Sequence, residues 1–169
     1  HFHSHHHPVN FNVGKIAGGD WASSVPAWCT FDMRVGVLPS QTLKEARQEI
    51  EDLIRKAAAN DPFLGNNPPT VTWEGFQAEP FVLKNHEQVR SVLAQAHKTV
   101  FGADLEDKTS TGTADNRFFG LYAGIPALVY GPQSDDIHGF DEKVNLESVR
   151  KITQATALFI AEWCGLQAV

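Results

Sequence analysis

The stretch from Ala27 to Val37 constrains the fold of this chain most. Ala27, Cys29, Phe31, Met33, Val35 and Val37 fall on one face of an extended backbone, with Trp28, Thr30, Asp32 and Arg34 on the other. A period of two sustained over this length predicts a half-buried strand, and a strand needs a neighbour to satisfy its main-chain donors and acceptors. The sequence offers one just before it. Val9, Phe11 and Val13 alternate with Asn10, Asn12 and Gly14, and Gly18-Gly19 ends that run. The glycines, Trp21, the serine pair Ser23-Ser24 and Pro26 suit a tight connection between the two strands. Asp32 and Arg34 share a face, where a supporting ion pair is expected rather than a catalytic pair.

Pro39 stops the strand, and Thr42 with Glu45 forms a capping box for a helix running to about Ala59. Leu43, Ala46, Ile50, Leu53, Ile54 and Ala57 make one apolar stripe, so the helix is expected to cover a sheet and turn Lys44, Glu45, Glu49, Glu51 and Arg55 to water. The turn-rich DPFLGNNPP leads to Thr70–Phe76, whose β-branched and aromatic residues predict another strand. Strand, strand, helix, strand reads as helices layered on an antiparallel sheet with free edges.

The organisation changes around Gln77 to Pro80, where a domain boundary is expected. Asn85 opens a second helix with the stripe Val89, Val92, Leu93, Ala96 and Val100, stopped by Gly102. A short polar strand is predicted near Glu106 to Thr109, followed by STGTADNRFFG, whose small residues leave backbone amides open to a substrate. Ile125–Tyr130, bounded by Gly124 and Gly131-Pro132, predicts a buried strand. The last helix begins near Asn145, with a stripe through Val149, Ile152, Thr156, Phe159, Ile160 and Trp163.

Between that strand and that helix lies His138, with Asp135, Asp136, Asp141 and Glu142 around it. Ligands of open α/β sheets sit beyond the carboxyl ends of the strands, and an imidazole near carboxylates has the composition of a metal ligand with its orienting neighbours. On spacing alone the residues also fit a solvated loop histidine, because no second ligand is close by.

Composition narrows the classes. A chain of 169 residues with 42% hydrophobic and 20% charged residues is an ordinary globular protein of one domain or two small ones. Its net charge of −6 and pI near 5.7 exclude the basic footprint of a nucleic-acid binder. There is no apolar run of about 18 residues and no secretory signal, which predicts no membrane span and a cytoplasmic protein. Cys29 and Cys164 read as reduced, partly buried thiols rather than a disulfide. The opening HFHSHHH reads as an irregular leader over residues 1–8, with adventitious metal binding or an expression tag as its explanations.

The succession NVGKIAGG, SSVPAWCTFDMR, TGTADNRFF and GIPALVYGPQSDDIHGFDEKV resembles the zinc-dependent amidohydrolases that include acetylornithine deacetylase, succinyl-diaminopimelate desuccinylase, aminoacylase and carboxypeptidase G. The likeness is strongest to acetylornithine deacetylase-like members and spans nearly everything after residue 8. It implies an α+β fold in which residues 9–78 are the second part of a lid, an antiparallel sheet with helices used for homodimerisation. Residues 79–169 would be the C-terminal part of an α/β two-zinc catalytic domain, with cobalt or manganese as alternative metals. By the same resemblance His138 is a metal ligand, and Gly112 and Thr113 belong to a substrate loop that Asp115 and Arg117 complete. Ser24 stands where many relatives carry a substrate-contacting asparagine, and Asp136, Asp141 and Glu142 are candidates to support His138. The general-base glutamate and the remaining ligands of such enzymes have no counterpart here, so the catalytic domain's N-terminal half is an expected partner. The implied function is cleavage of the amide bond of an N-acyl amino acid or small peptide, by a chain that is inactive alone. The alternative readings are a non-catalytic association module and a histidine-rich metal-storage protein.

Overall fold

The computed structural model of this chain describes residues 9–167, and the histidine-rich leader expected at residues 1–8 lies outside the described residues. The chain forms two compact units. Of the described residues, the first takes 9–82 and regains Thr109–Thr113; the second holds Leu83–Lys108 and 114–167.

In the first unit, β1 (Phe11–Gly18) and β2 (Cys29–Val35) pair antiparallel. Phe11, Val13 and Ile16 stand opposite Val35, Met33 and Phe31, although Val13 and Ile16 have opposite parity along the strand. The register shift between Val13 and Lys15 resolves this. Gly14 is the extra residue of a β-bulge, and the one-residue step returns the apolar side chains to a single face. On the opposite face Asp32 pairs across the strands with Lys15 at 3.5 Å. The Asp32–Arg34 pair expected from sequence is not made, because Arg34 reaches instead to the Phe76 carbonyl at 3.3 Å and lies 5.6 Å over the Phe76 ring. Cross-strand neighbours are closer than residues two apart on one strand, so the lysine wins the aspartate.

Helix α1 (Leu43–Ala59) begins with the predicted capping box. The Thr42 hydroxyl accepts from the Glu45 amide at 3.2 Å, and the Glu45 carboxylate accepts from the Thr42 amide at 2.8 Å. The predicted covering of the sheet does not form. Leu53 is 66% exposed, β1 is exposed along its whole length, and the buried apolar residues of α1 are Ala46 and Ala58. Thr70–Phe76 is extended but joins no ladder among the described residues, contrary to expectation. Its side chains tie it to its surroundings: the Trp73 indole donates to Glu51 at 2.6 Å, and the Arg47 guanidinium lies 5.5 Å over the same ring.

In the second unit, α2 (Glu87–Phe101) and α4 (Leu146–Cys164) pack against each other. Val89, Leu93 and Ala96 recur at steps of four and three on α2, and the fully buried Ala155 of α4 lets the helices approach closely. Gly102 closes α2 in the left-handed conformation, as its position after the last periodic residue predicts. His86 rather than Asn85 is the capping residue, and Asn85 itself is left-handed with φ 52.

Glu106–Thr109 forms no strand among the described residues; Asp107 instead accepts from the Arg90 guanidinium at 3.0 Å, and Lys98 pairs with Asp104 at 2.8 Å. Helix α3 (Asn116–Phe118) continues into a π-helical turn, Phe119–Ala123, closed by left-handed Gly124. Ile125–Tyr130 joins no strand ladder among the described residues and is not buried as expected, with Val129 72% exposed. Two side chains hold it: Asn116 donates to the Ala127 carbonyl at 3.1 Å, and the Tyr130 hydroxyl lies 2.7 Å from His97 Nδ1. The His97 ring stacks on Phe101 at 4.3 Å, and burial raises the Tyr130 phenol above its ordinary pKa. Both cysteines are free thiols, exposed rather than partly buried. No helix among the described residues is long and apolar enough to cross a membrane.

Two stability predictions follow from these contacts. Thr42→Ala removes the cap of α1 and should lower stability by about 1 kcal/mol in denaturant unfolding. The Glu45 carboxyl is held below its ordinary value of 4.5 chiefly by the Thr42 amide, then by the Thr42 hydroxyl. Its contribution is therefore full above that value and lost as pH falls through the lowered one. Thr42→Ala keeps the amide bond and loses the hydroxyl's share, so the gap between wild type and Thr42→Ala should narrow in acid by that share alone. Tyr130→Phe leaves a half-buried His97 nitrogen without its partner and should cost about 1 kcal/mol. An unchanged melting curve for Tyr130→Phe would remove that bond from the account.

Candidate functional site

His138 sits at the tip of a loop whose two legs are short strands. β3 (Ser134–Asp135) pairs antiparallel with β4 (Lys143–Val144), Ser134 facing Val144 and Asp135 facing Lys143. Below the ladder the Asn145 amide donates to the Gln133 carbonyl at 2.9 Å, and above it the Lys143 ammonium lies 3.9 Å from Asp135. The tip is tightly wound. Asp136, His138 and Asp141 all have left-handed backbones, with φ 54, 64 and 57. Aspartate and histidine are among the residue types that tolerate this conformation best, and such residues gather at ligand clamps and active sites. The Gly139 amide donates to the Asp136 carbonyl at 2.6 Å, and a Cβ at Gly139 would lie 2.9 Å from that oxygen, so the turn requires glycine.

The imidazole of His138 is presented to solvent at the head of this turn. Asp136, Asp141 and Glu142 surround it along the chain, and the His138 ring makes no hydrogen bond to them or to any other described residue. Among the described residues no group of three or more histidine, cysteine, aspartate or glutamate side chains converges to hold a metal. A catalytic zinc needs three protein donors and an open position. His138 offers one exposed imidazole, and the donors around it among the described residues do not amount to a metal centre.

The other residues singled out from sequence fall into different settings. The TGTADNR motif is divided between the units: Gly112 and Thr113 belong to the first, Asp115 and Arg117 to the second. In the first unit the Gly112 amide donates to the Ser110 hydroxyl at 3.2 Å, Thr113 is exposed, and the neighbouring Thr111 hydroxyl accepts from Asn10 at 3.1 Å. Ser24 lies on the β1–β2 connection, where its hydroxyl donates to the Trp21 carbonyl at 3.0 Å and the Trp28 indole donates to Asp20 at 2.9 Å. This connection forms an open, shallow groove.

In the second unit Arg117 turns inward. It is 7% exposed, its guanidinium donates to the Ala114 carbonyl at 3.2 Å, and the ring of Phe118 lies 4.1 Å away. Asp115, its ion-pair partner at 3.7 Å, faces solvent. A buried guanidinium bound to its own chain orders the turn from Ala114 to Phe118, with the exposed Asp115 carboxylate paired to it. Sequence reasoning missed Ser148, the second buried polar residue of this unit, which bonds to the base of the His138 loop. Its place three residues after the capping Asn145 was the available signal.

Comparison with known proteins gives the chain its context. The chain is 24% identical to the N-formyl-4-amino-5-aminomethyl-2-methylpyrimidine deformylase of Halalkalibacterium halodurans, an alignment covering 92% of this chain and 38% of the relative. The protein of the same name from Bacillus subtilis is 28% identical over 91% of this chain and 38% of its own length. The succinyl-diaminopimelate desuccinylase of Hydrogenovibrio crunogenus is 26% identical over 87% of this chain and 36% of its own. The chain thus spans well under half the length of these relatives. Residues 6–162, nearly the whole chain, match a single family, and the chain belongs to peptidase family M20/M25/M40.

Proposed function

We propose that this chain is the C-terminal portion of a hydrolase that releases an acyl group from the nitrogen of a small amine, an N-acyl amino acid or a short peptide. The family match over residues 6–162 supports the reaction class, and the names of its relatives describe removal of formyl and succinyl groups. A substrate of the kind acetylornithine deacetylase takes is the finer form of this reading. The observation that carries it in this chain is the wound loop of His138, where three non-glycine residues hold left-handed backbones.

In this reading His138 is one ligand of a zinc centre of two ions, with cobalt or manganese as substitutes. A bound divalent metal would supply an activated water and a counter-charge for the carbonyl oxygen. The second unit contributes the histidine, with Arg117 ordering its own turn through the Ala114 carbonyl, and the first unit contributes the Gly112–Thr113 amides and hydroxyl as candidates for the polar end of a substrate. Ser24 contributes a hydroxyl at the β1–β2 connection. The remaining ligands and the general base belong to an N-terminal half of the catalytic domain, in a protein of the cytoplasm.

In the full-length protein, His138→Ala should lower zinc content and amidase activity together. The loss should reach about 100-fold or more, beyond the 10–100-fold cost of removing a mere outer partner of a metal ligand. Unaltered metal stoichiometry and rate would overturn the ligand assignment.

A second reading concerns the first unit, which supports association as a lid pairing with a second copy. The face of β1–β2 carrying Phe11, Ile16 and Phe31 is exposed at 65%, 74% and 53%, and the outer edges of both strands have no partner among the described residues. An exposed apolar face of this kind marks an interaction surface. Sedimentation of the protein should show a concentration-dependent dimer that Ile16→Asp with Phe31→Asp converts to monomer. A monomer at every concentration would remove the lid-pairing reading.

A further inference from the structure

The base of the His138 loop is held by a ring of hydrogen bonds that involves a residue outside the loop. Ser148, in the first turn of α4, is 5% exposed. Its hydroxyl accepts from the Gln133 amide at 2.9 Å and donates to the Asn145 carbonyl at 2.7 Å. The Asn145 amide in turn donates to the Gln133 carbonyl at 2.9 Å, and the Ser148 amide donates to the Asn145 side-chain oxygen at 3.0 Å. Both main-chain polar groups of Gln133 are thereby fixed, one by Ser148 and one by Asn145. Gln133 is where the chain enters the loop, and Asn145 is where it leaves.

The loop needs such a holder. Its ladder is two residue pairs long, its tip carries three left-handed non-glycine residues, and its residues are exposed. A short hairpin with a strained tip and no apolar packing has little of its own to keep one conformation. A part-buried ring of donors and acceptors closed by the Ser148 hydroxyl does, because each bond polarises the next and water competes less for the buried serine.

We propose that Ser148 is a positioning residue for His138. Its buried hydroxyl locks both ends of the loop to the first turn of α4 and so fixes where the imidazole is presented. The proposal rests on the reading of His138 as a metal ligand. It extends that reading to a side chain that touches neither metal nor substrate.

The test uses the full-length protein and three variants, Ser148→Ala, Ser148→Thr and His138→Ala. Zinc affinity is measured by chelator competition, amide exchange at Gln133 by mass spectrometry, and melting on the zinc-free forms. Ser148→Ala should weaken zinc binding by about 10–100-fold, the cost of losing an outer-shell partner, and should release the Gln133 amide to exchange. Ser148→Thr, which keeps the hydroxyl, should retain both properties. The melting control separates a misplaced loop from a general loss of fold. Should Ser148→Ala fail to fold, Ser148→Cys is read in its place, since a thiol keeps the volume and hydrogen-bonds weakly. Wild-type zinc affinity in the Ser148 variant, alongside weakened binding in His138→Ala, would overturn the positioning role and leave the ligand standing. Wild-type affinity in His138→Ala would overturn the ligand reading, and the role of Ser148 with it.

Discussion

The start of α4 and the closure of the His138 loop are one hydrogen-bonded structure. A helix leaves its first amides without partners, and Asn145 meets that need by accepting from the Ser148 amide through its side chain. The same residue's own amide closes the loop on Gln133, and its carbonyl receives both the Ser148 hydroxyl and the Val149 amide. Helix formation therefore sets the loop. Once α4 packs on α2 through Ala155, its first turn is fixed, and the loop inherits that position without a core of its own. The His97–Tyr130 bond acts on the other flank, tying the segment that leads to Gly131-Pro132 onto α2.

The three long helices of this fold were legible in the sequence because their stabilising contacts are local, whereas α3 and the π-helical turn after it fall in a stretch read as a loop. Thr42 with Glu45, Gly102 after Val100 and Phe101, and Asn145 before its apolar stripe each carry their partner within one or two turns. The strands were legible only where a neighbour exists. The period of two over Ala27–Val37 became β2 because β1 pairs with it, whereas Thr70–Phe76 and Ile125–Tyr130 have strand composition and no ladder among the described residues, and the polar Glu106–Thr109 has none either. Strand composition describes fitness for a sheet, and pairing is decided by the partner. The bulge at Gly14 shows the same limit in small, since an odd-to-even step in the apolar pattern is visible only once Met33 and Phe31 lie across from it.

The candidate site was legible to a similar depth. A histidine among aspartates after Gly131-Pro132 marked the loop, and its left-handed residues are of types that composition permits without revealing. The inward turn of Arg117 arises from tertiary packing, and no spacing rule announces it, whereas Ser148 is marked only by its place three residues after the capping Asn145. Membership of peptidase family M20/M25/M40 gives the loop its chemical context. Ile16 and Val25 in the first unit, and Phe140 and Leu166 in the second, are exposed at 74%, 90%, 98% and 87%.

The central proposal is that His138, at the tip of the wound loop, is a metal ligand. Anomalous diffraction at the zinc edge, from crystals of the full-length protein grown with zinc, tests it most directly. The account predicts a zinc peak about 2.0–2.1 Å from a ring nitrogen of His138, the ordinary zinc–imidazole bond length. A fully occupied zinc site with the His138 ring outside bonding distance would contradict it.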